Sequence, residues 1–145
     1  MKKPLLLILV IGAAFSIAAG TKLKPRNVNA GEWVLTKNYS RQEFLSKDTL
    51  RFFNNVKDVA GNPDHHPVLS FDQKKKEFNV SVKDANGIYG KYVLNKKSRE
   101  LLMTFYEPDP MKTGVTDISQ WNKTGENNYN ITVCSKDTLM LVRKR

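Results

Sequence analysis

Phe78-Asn79-Val80-Ser81-Val82-Lys83 alternates apolar and polar side chains at every step. Successive side chains of an extended strand point to opposite faces, so this hexapeptide buries one face and wets the other. A helix would instead need apolar residues three and four apart. The same period spreads outward in both directions. Before it, Leu69 and Phe71 alternate with Ser70 and Asp72, and Trp33 and Leu35 alternate with Val34 and Thr36. After it, Ile88, Tyr92 and Leu94 carry the pattern across Gly90. Leu101, Met103 and Phe105 follow, then Tyr129, Ile131 and Val133, and finally Leu139 and Leu141.

The separators agree with strands. Asp72-Gln73-Lys74-Lys75-Lys76 reads as a polar hairpin loop, and Asp84-Ala85-Asn86-Gly87 holds an Asn-Gly pair suited to the positive φ of a tight turn. Asn95 to Ser98 and Ser135-Lys136-Asp137 join two further pairs. Pro108 and Pro110 open a long connection expected to reach about Asn128, a length that is often functional, with Trp121 packing over one end of the fold. Many short strands with such spacing predict a mainly all-β domain, an antiparallel barrel or sandwich. Arg41 to Pro67 admits two readings. Phe44, Leu45, Leu50, Phe52, Phe53, Val56 and Val59 fit one helical stripe within 41–62, while Thr49-Leu50-Arg51-Phe52-Phe53 also fits a strand ended by Asn54 and Asn55.

The N-terminus has a different character. Lys2 and Lys3 precede an uncharged apolar run from Leu5 to Ala19, closed by small residues, in the order of a secretory signal peptide. Lys22, Lys24 and Arg26 follow at once, and positive charge there hinders translocation, which leaves an uncleaved anchor over residues 4–20 as the alternative. The expected organisation is a signal peptide or anchor at 1–20, a polar linker at 21–30 and one domain at 31–145. The destination is the periplasm, the cell envelope or the outside. Without Lys2 and Lys3 the rest holds 22 basic and 14 acidic residues, a net of +8. That excess is dispersed and suits attraction to an anionic membrane surface, not a nucleic-acid footprint. Cys134 is the single cysteine, so no internal disulfide is available.

Three pieces of sequence resemble the bacterial lipocalin-like family of small exported domains. These are Gly31-x-Trp33, then the meander from Leu69-x-Phe71 through Phe78 and Gly90-x-Tyr92-x-Leu94 to Leu101, and the ending Tyr129-x-Ile131 with Lys136-Asp137-Thr138-Leu139-x-Leu141. The resemblance spans about 31–145 and implies an up-and-down barrel of about eight antiparallel strands, a small hydrophobic ligand inside, and no family-wide catalytic residues or cofactor. Residues 41–67 depart from it as an insertion between the first strands.

A second, local resemblance concerns Asp64-His65-His66-Pro67. Phe52, Val56, Ala60 and Asp64 recur every four residues ahead of it, as in the pterin-4a-carbinolamine dehydratases, where a helix delivers a His-His-Pro pair. On that analogy His65 and His66 would give acid–base and substrate contacts. The further histidine of that family would fall near Lys83, and its C-terminal helix is replaced here by strand-like sequence. A metal at this pair would need help from Asp64, and no second His or Cys cluster completes a four-ligand set.

An eight-stranded barrel is just wide enough for its side chains to fill it or to hold one small ligand. Trp33, Phe71, Phe78, Tyr92, Met103, Phe105 and Tyr129 are the lining candidates, combining apolar area with a few polar tips. Trp33, following Gly31 at the start of the first strand, suits an end plug. The sequence thus predicts an exported, non-catalytic binder of a small hydrophobic or amphipathic molecule. The alternatives are an envelope interaction module using the 108–128 connection, and the dehydratase.

Overall fold

The alternation is realised as eight antiparallel strands: β1 (Glu32–Leu35), β2 (Thr49–Phe53), β3 (Val68–Asp72), β4 (Glu77–Ser81), β5 (Ile88–Asn95), β6 (Glu100–Glu107), β7 (Asn122–Cys134) and β8 (Thr138–Arg143), with one short helix, α1 (Arg41–Ser46). The computed structural model describes residues 28–54, 66–81 and 87–145; residues 1–27 with the expected signal segment, Asp64, His65, Val82 and most of the Asp84–Gly87 stretch lie outside them. The strands close into a barrel in the order β1-β2-β8-β7-β6-β5-β4-β3. From β3 to β8 the chain meanders from neighbour to neighbour. The first two strands depart from that order, because β1 sits between β2 and β3 and it is β2 that closes against β8. The described residues on either side of 55–65 are held in place: Asn54 N–H donates to the Asp137 carbonyl (2.9 Å) and Leu35 N–H to the Pro67 carbonyl (2.8 Å).

Turn chemistry sets the register. The β3–β4 and β5–β6 hairpins use the same four-residue device. Asp72 Oδ1 accepts from the N–H groups of Lys74 and Lys75, and Asn95 Oδ1 from those of Lys97 and Ser98. Lys76 (φ 59) and Arg99 (φ 57) then close each turn in the left-handed region. With Phe71 opposite Phe78 and Leu94 opposite Leu101, the apolar alternates of these two hairpins fall on the inner face.

Chain direction sorts the connections. Turns 73–76, 96–99 and 135–137 share one end with the entering residues 28–31; this is the hairpin end. Helix α1, the 108–121 connection and the C-terminal residues occupy the other, the helix end. A buried apolar residue joins the core at each end, Val28 at the hairpin end and Phe44 at the helix end, where Tyr39 and Leu45 also pack against it. Val28, in sequence terms part of a polar tether, is fully buried, and its carbonyl accepts from Trp33 Nε1 at 2.7 Å. Asn29 Nδ2 donates to the Tyr92 hydroxyl (3.2 Å), and Gln73 Nε2 to the Asn29 carbonyl (2.7 Å), holding the entering chain across the mouth. At the helix end Ser40 and Glu43 form a reciprocal capping box that starts α1 and presents Phe44 inward.

The strand reading of Thr49–Phe53 holds, and the helix within 41–62 is confined, among the described residues, to Arg41–Ser46, so Leu50 and Phe52 reach the core from β2 and not from one helical stripe. Three expectations are corrected. The 108–128 connection is shorter, since β7 begins at Asn122; its first residues are polar on both faces and pair with β6. Trp121 packs on the flank and not over an end, edge-on to Tyr89 with ring centroids 5.5 Å apart, its Nε1 donating to the Val115 carbonyl at 3.0 Å. A bulge between Ile131 and Val133 also breaks the alternation in β7, placing Cys134 in the core opposite Leu139.

Candidate ligand site in the barrel interior

All seven lining candidates belong to the interior: Trp33, Phe78, Tyr92, Met103, Phe105 and Tyr129 are buried in one cluster, and Phe71 packs against it half-buried. They are spread along the barrel. Phe71 and Tyr92 meet edge to face at 4.9 Å, and Phe78 meets Phe105 in the same way at 5.6 Å. Edge-to-face contact directs the positive ring edge at the negative face of its partner. Met103 stands opposite Tyr92 on β5 and Asn127 on β7, one inward position from Phe105 toward the hairpin end. Gly90 makes the aromatic layer possible, because a Cβ there would strike the Phe78 ring and the Thr104 carbonyl oxygen. Inward residues that sequence reasoning placed here but that lie outside the described segments are limited to Val82.

The helix end carries polar groups that sequence reasoning missed. Asn127 and Arg143 occupy inner-face positions, opposite Met103 and Tyr129 respectively. Asn127 Nδ2 donates to the Tyr129 hydroxyl (3.0 Å) and to the Leu45 carbonyl of α1 (3.1 Å). The Arg143 guanidinium also donates to the Leu45 carbonyl, while its buried Nε has no hydrogen-bond partner among the described residues. Burial pushes the Tyr129 phenol above its ordinary range, against the opposing hydrogen bond from Asn127 and the Arg143 guanidinium. Tyr129 therefore stays neutral near pH 7 and can donate its own proton. Guanidinium, amide and phenol together form a set of donors facing the apolar interior, a set suited to the oxygens of an amphipathic molecule. Period-two arithmetic could have found both new residues, since Arg143 continues Leu139 and Leu141, and Asn127 precedes Tyr129 by two.

The remaining chemical candidates have structural partners. His66 is buried, with Nδ1 2.8 Å from the Leu35 carbonyl, so its ring ties the start of β3 to the end of β1. Phe52, the start of the expected helical face ahead of the histidine pair, lies on β2 and faces the core. Burial raises the Cys134 thiol pKa, which disfavours the nucleophilic thiolate.

Fold and interior together define a closed, eight-stranded antiparallel β-barrel protein with an aromatic and methionine core. No protein-family model matches the chain, and no curated protein or solved structure matches it significantly.

Proposed function

We propose that the protein is an exported, lipocalin-like carrier without catalytic activity that binds a small amphipathic molecule at the helix end, in the place now held by Phe44. One observation carries the proposal: the donors Arg143, Asn127 and Tyr129 sit between an apolar interior and a helix of only six residues. Such a helix is far below the length that is stable alone, so its position depends on its cap, on Phe44 and on the bonds to the Leu45 carbonyl. A ligand that supplies apolar area in place of Phe44 and acceptors in place of the Leu45 carbonyl exchanges like for like. Removing about 200 Å² of ligand surface from water favours binding by about 5 kcal/mol before the costs of association. The Leu5–Ala19 apolar run supports the export element of the proposal.

The test is titration with a fluorescent fatty-acid analogue, on the wild type and on Phe44→Ala, with circular dichroism confirming that both are folded. Saturable uptake by the wild type, tightened in Phe44→Ala, is expected. Two folded proteins that both leave the probe in water would overturn the proposal.

A further inference from the structure

The hairpin end is strongly and asymmetrically basic. Its three turns, 73–76, 96–99 and 135–137, carry Lys74, Lys75, Lys76, Lys96, Lys97, Arg99 and Lys136 against Asp137 alone. All seven cationic residues are exposed, and none makes an ion pair among the described residues. Four acids flank these turns, Glu32, Asp72, Glu77 and Glu100, fewer than the seven cations, and the Lys75 charge also reaches Asp117. Asp72 accepts from the backbone of Lys74 and Lys75, and Glu100 is held by Lys144 and Ser98. The helix end is less basic: its segments 36–48 and 108–121 hold Lys37, Arg41, Lys47 and Lys112 against Glu43, Asp48, Asp109 and Asp117, and of the C-terminal Arg143, Lys144 and Arg145 the last two are ion-paired, to Glu100 and Asp48.

Position matters as much as sign. The turns join β3 to β4, β5 to β6 and β7 to β8, so they recur at every second gap around the barrel rim. A rim of tips fits a flat partner better than a groove-shaped one. The chain also enters the barrel at this end, through Val28, and the residues before it include Lys22, Lys24, Arg26 and the apolar Leu5–Ala19 run.

We infer that the hairpin end docks on an anionic lipid bilayer through the lysines of its turns, holding the barrel upright with the helix end pointing away from the membrane. This inference stands apart from the ligand proposal, since it uses the opposite end of the barrel. Each basic residue near such a surface strengthens partitioning about fivefold, within a screening distance of about 10 Å at 0.1 M salt.

The full chain is mixed with vesicles of phosphatidylcholine alone and of phosphatidylcholine with phosphatidylglycerol, and bound protein is measured by sedimentation. Stronger binding to the anionic vesicles is expected, weakened by salt. The combined variant Lys74→Gln, Lys75→Gln, Lys96→Gln, Lys97→Gln should lose about several hundredfold of that anionic preference, with binding to neutral vesicles unchanged. The control variant Lys37→Gln, Lys47→Gln, Lys112→Gln at the helix end should lose little. Equal losses in the two variants would show undirected net charge and overturn the inference. So would equal wild-type binding to both vesicle types.

Discussion

Replacing Gly90 by alanine should destabilise the barrel more than any other single methyl addition to β5. The added Cβ would enter the space of the Phe78 ring and of the Thr104 carbonyl oxygen. Phe78 cannot simply yield, because Phe105 stands edge-on to it at 5.6 Å. Nor can Thr104, whose carbonyl belongs to the backbone of β6, paired with β5 along its length. Overpacking of this kind costs about 1–3 kcal/mol, and disturbing one ladder hydrogen bond adds about 1 kcal/mol. The stiffer unfolded chain returns about 0.4–1 kcal/mol. The expected net loss is about 2–3 kcal/mol, or roughly 10 °C in Tm for a domain of this size. Urea and thermal unfolding followed by circular dichroism measure it. Adding Phe78→Leu should recover only part of the loss, since the ring is relieved and the carbonyl is not. A Gly90→Ala protein within about 0.5 kcal/mol of the wild type, the range of ordinary surface changes, would refute a filled aromatic layer at this level.

Trp33→Phe keeps an aromatic side chain but loses the larger indole and its donor to the Val28 carbonyl, so it should cost about 1–3 kcal/mol in urea unfolding. The parallel change Trp121→Phe, on the barrel flank, should cost less. Ser40→Ala removes the cap of α1 and should lower stability by about 1 kcal/mol, with hydrogen exchange rising first at Glu43 and Phe44. Alkali should destabilise in two stages. The folded thiol of Cys134 and phenol of Tyr129 both hold their protons to higher pH than in the unfolded chain. Stability is then level below about pH 9 and falls as pH rises past the ordinary thiol and phenol values, because the unfolded state ionises first. A Tm series from pH 7 to 11 checks this, and Cys134→Ala should delay the onset toward the phenol range.

Much of the barrel was legible because its information is local. Alternation marks inner faces one strand at a time, and Asp72 and Asn95 announce their turns by side chains that reach the next backbone N–H groups. What was not legible depends on contacts distant in sequence. Nothing near β1 says that it pairs with β3 as well as β2, since that order arises from closure of β2 on β8. Asn122–Asn128 looked like loop because neither face is apolar, yet its backbone pairs with β6 all the same. Among the interior candidates, the seven large side chains were visible from size and period alone. Arg143 and Asn127 were hidden by an assumption that inward residues are apolar. Phe44 was visible as apolar but not as a plug, because its role depends on where a six-residue helix lands over the barrel mouth.

Methyl NMR of the methionines tests the carrier proposal most directly. The chain has four methionines, of which Met103 is fully buried inside the barrel and Met111 is almost fully exposed. Titrating decanoate into protein labelled with carbon-13 at the methionine methyls should shift the Met103 signal strongly, assigned by its loss in Met103→Leu, and leave Met111 unmoved. A Met103 signal that stays in place while decanoate approaches its solubility limit would contradict an interior that admits a ligand.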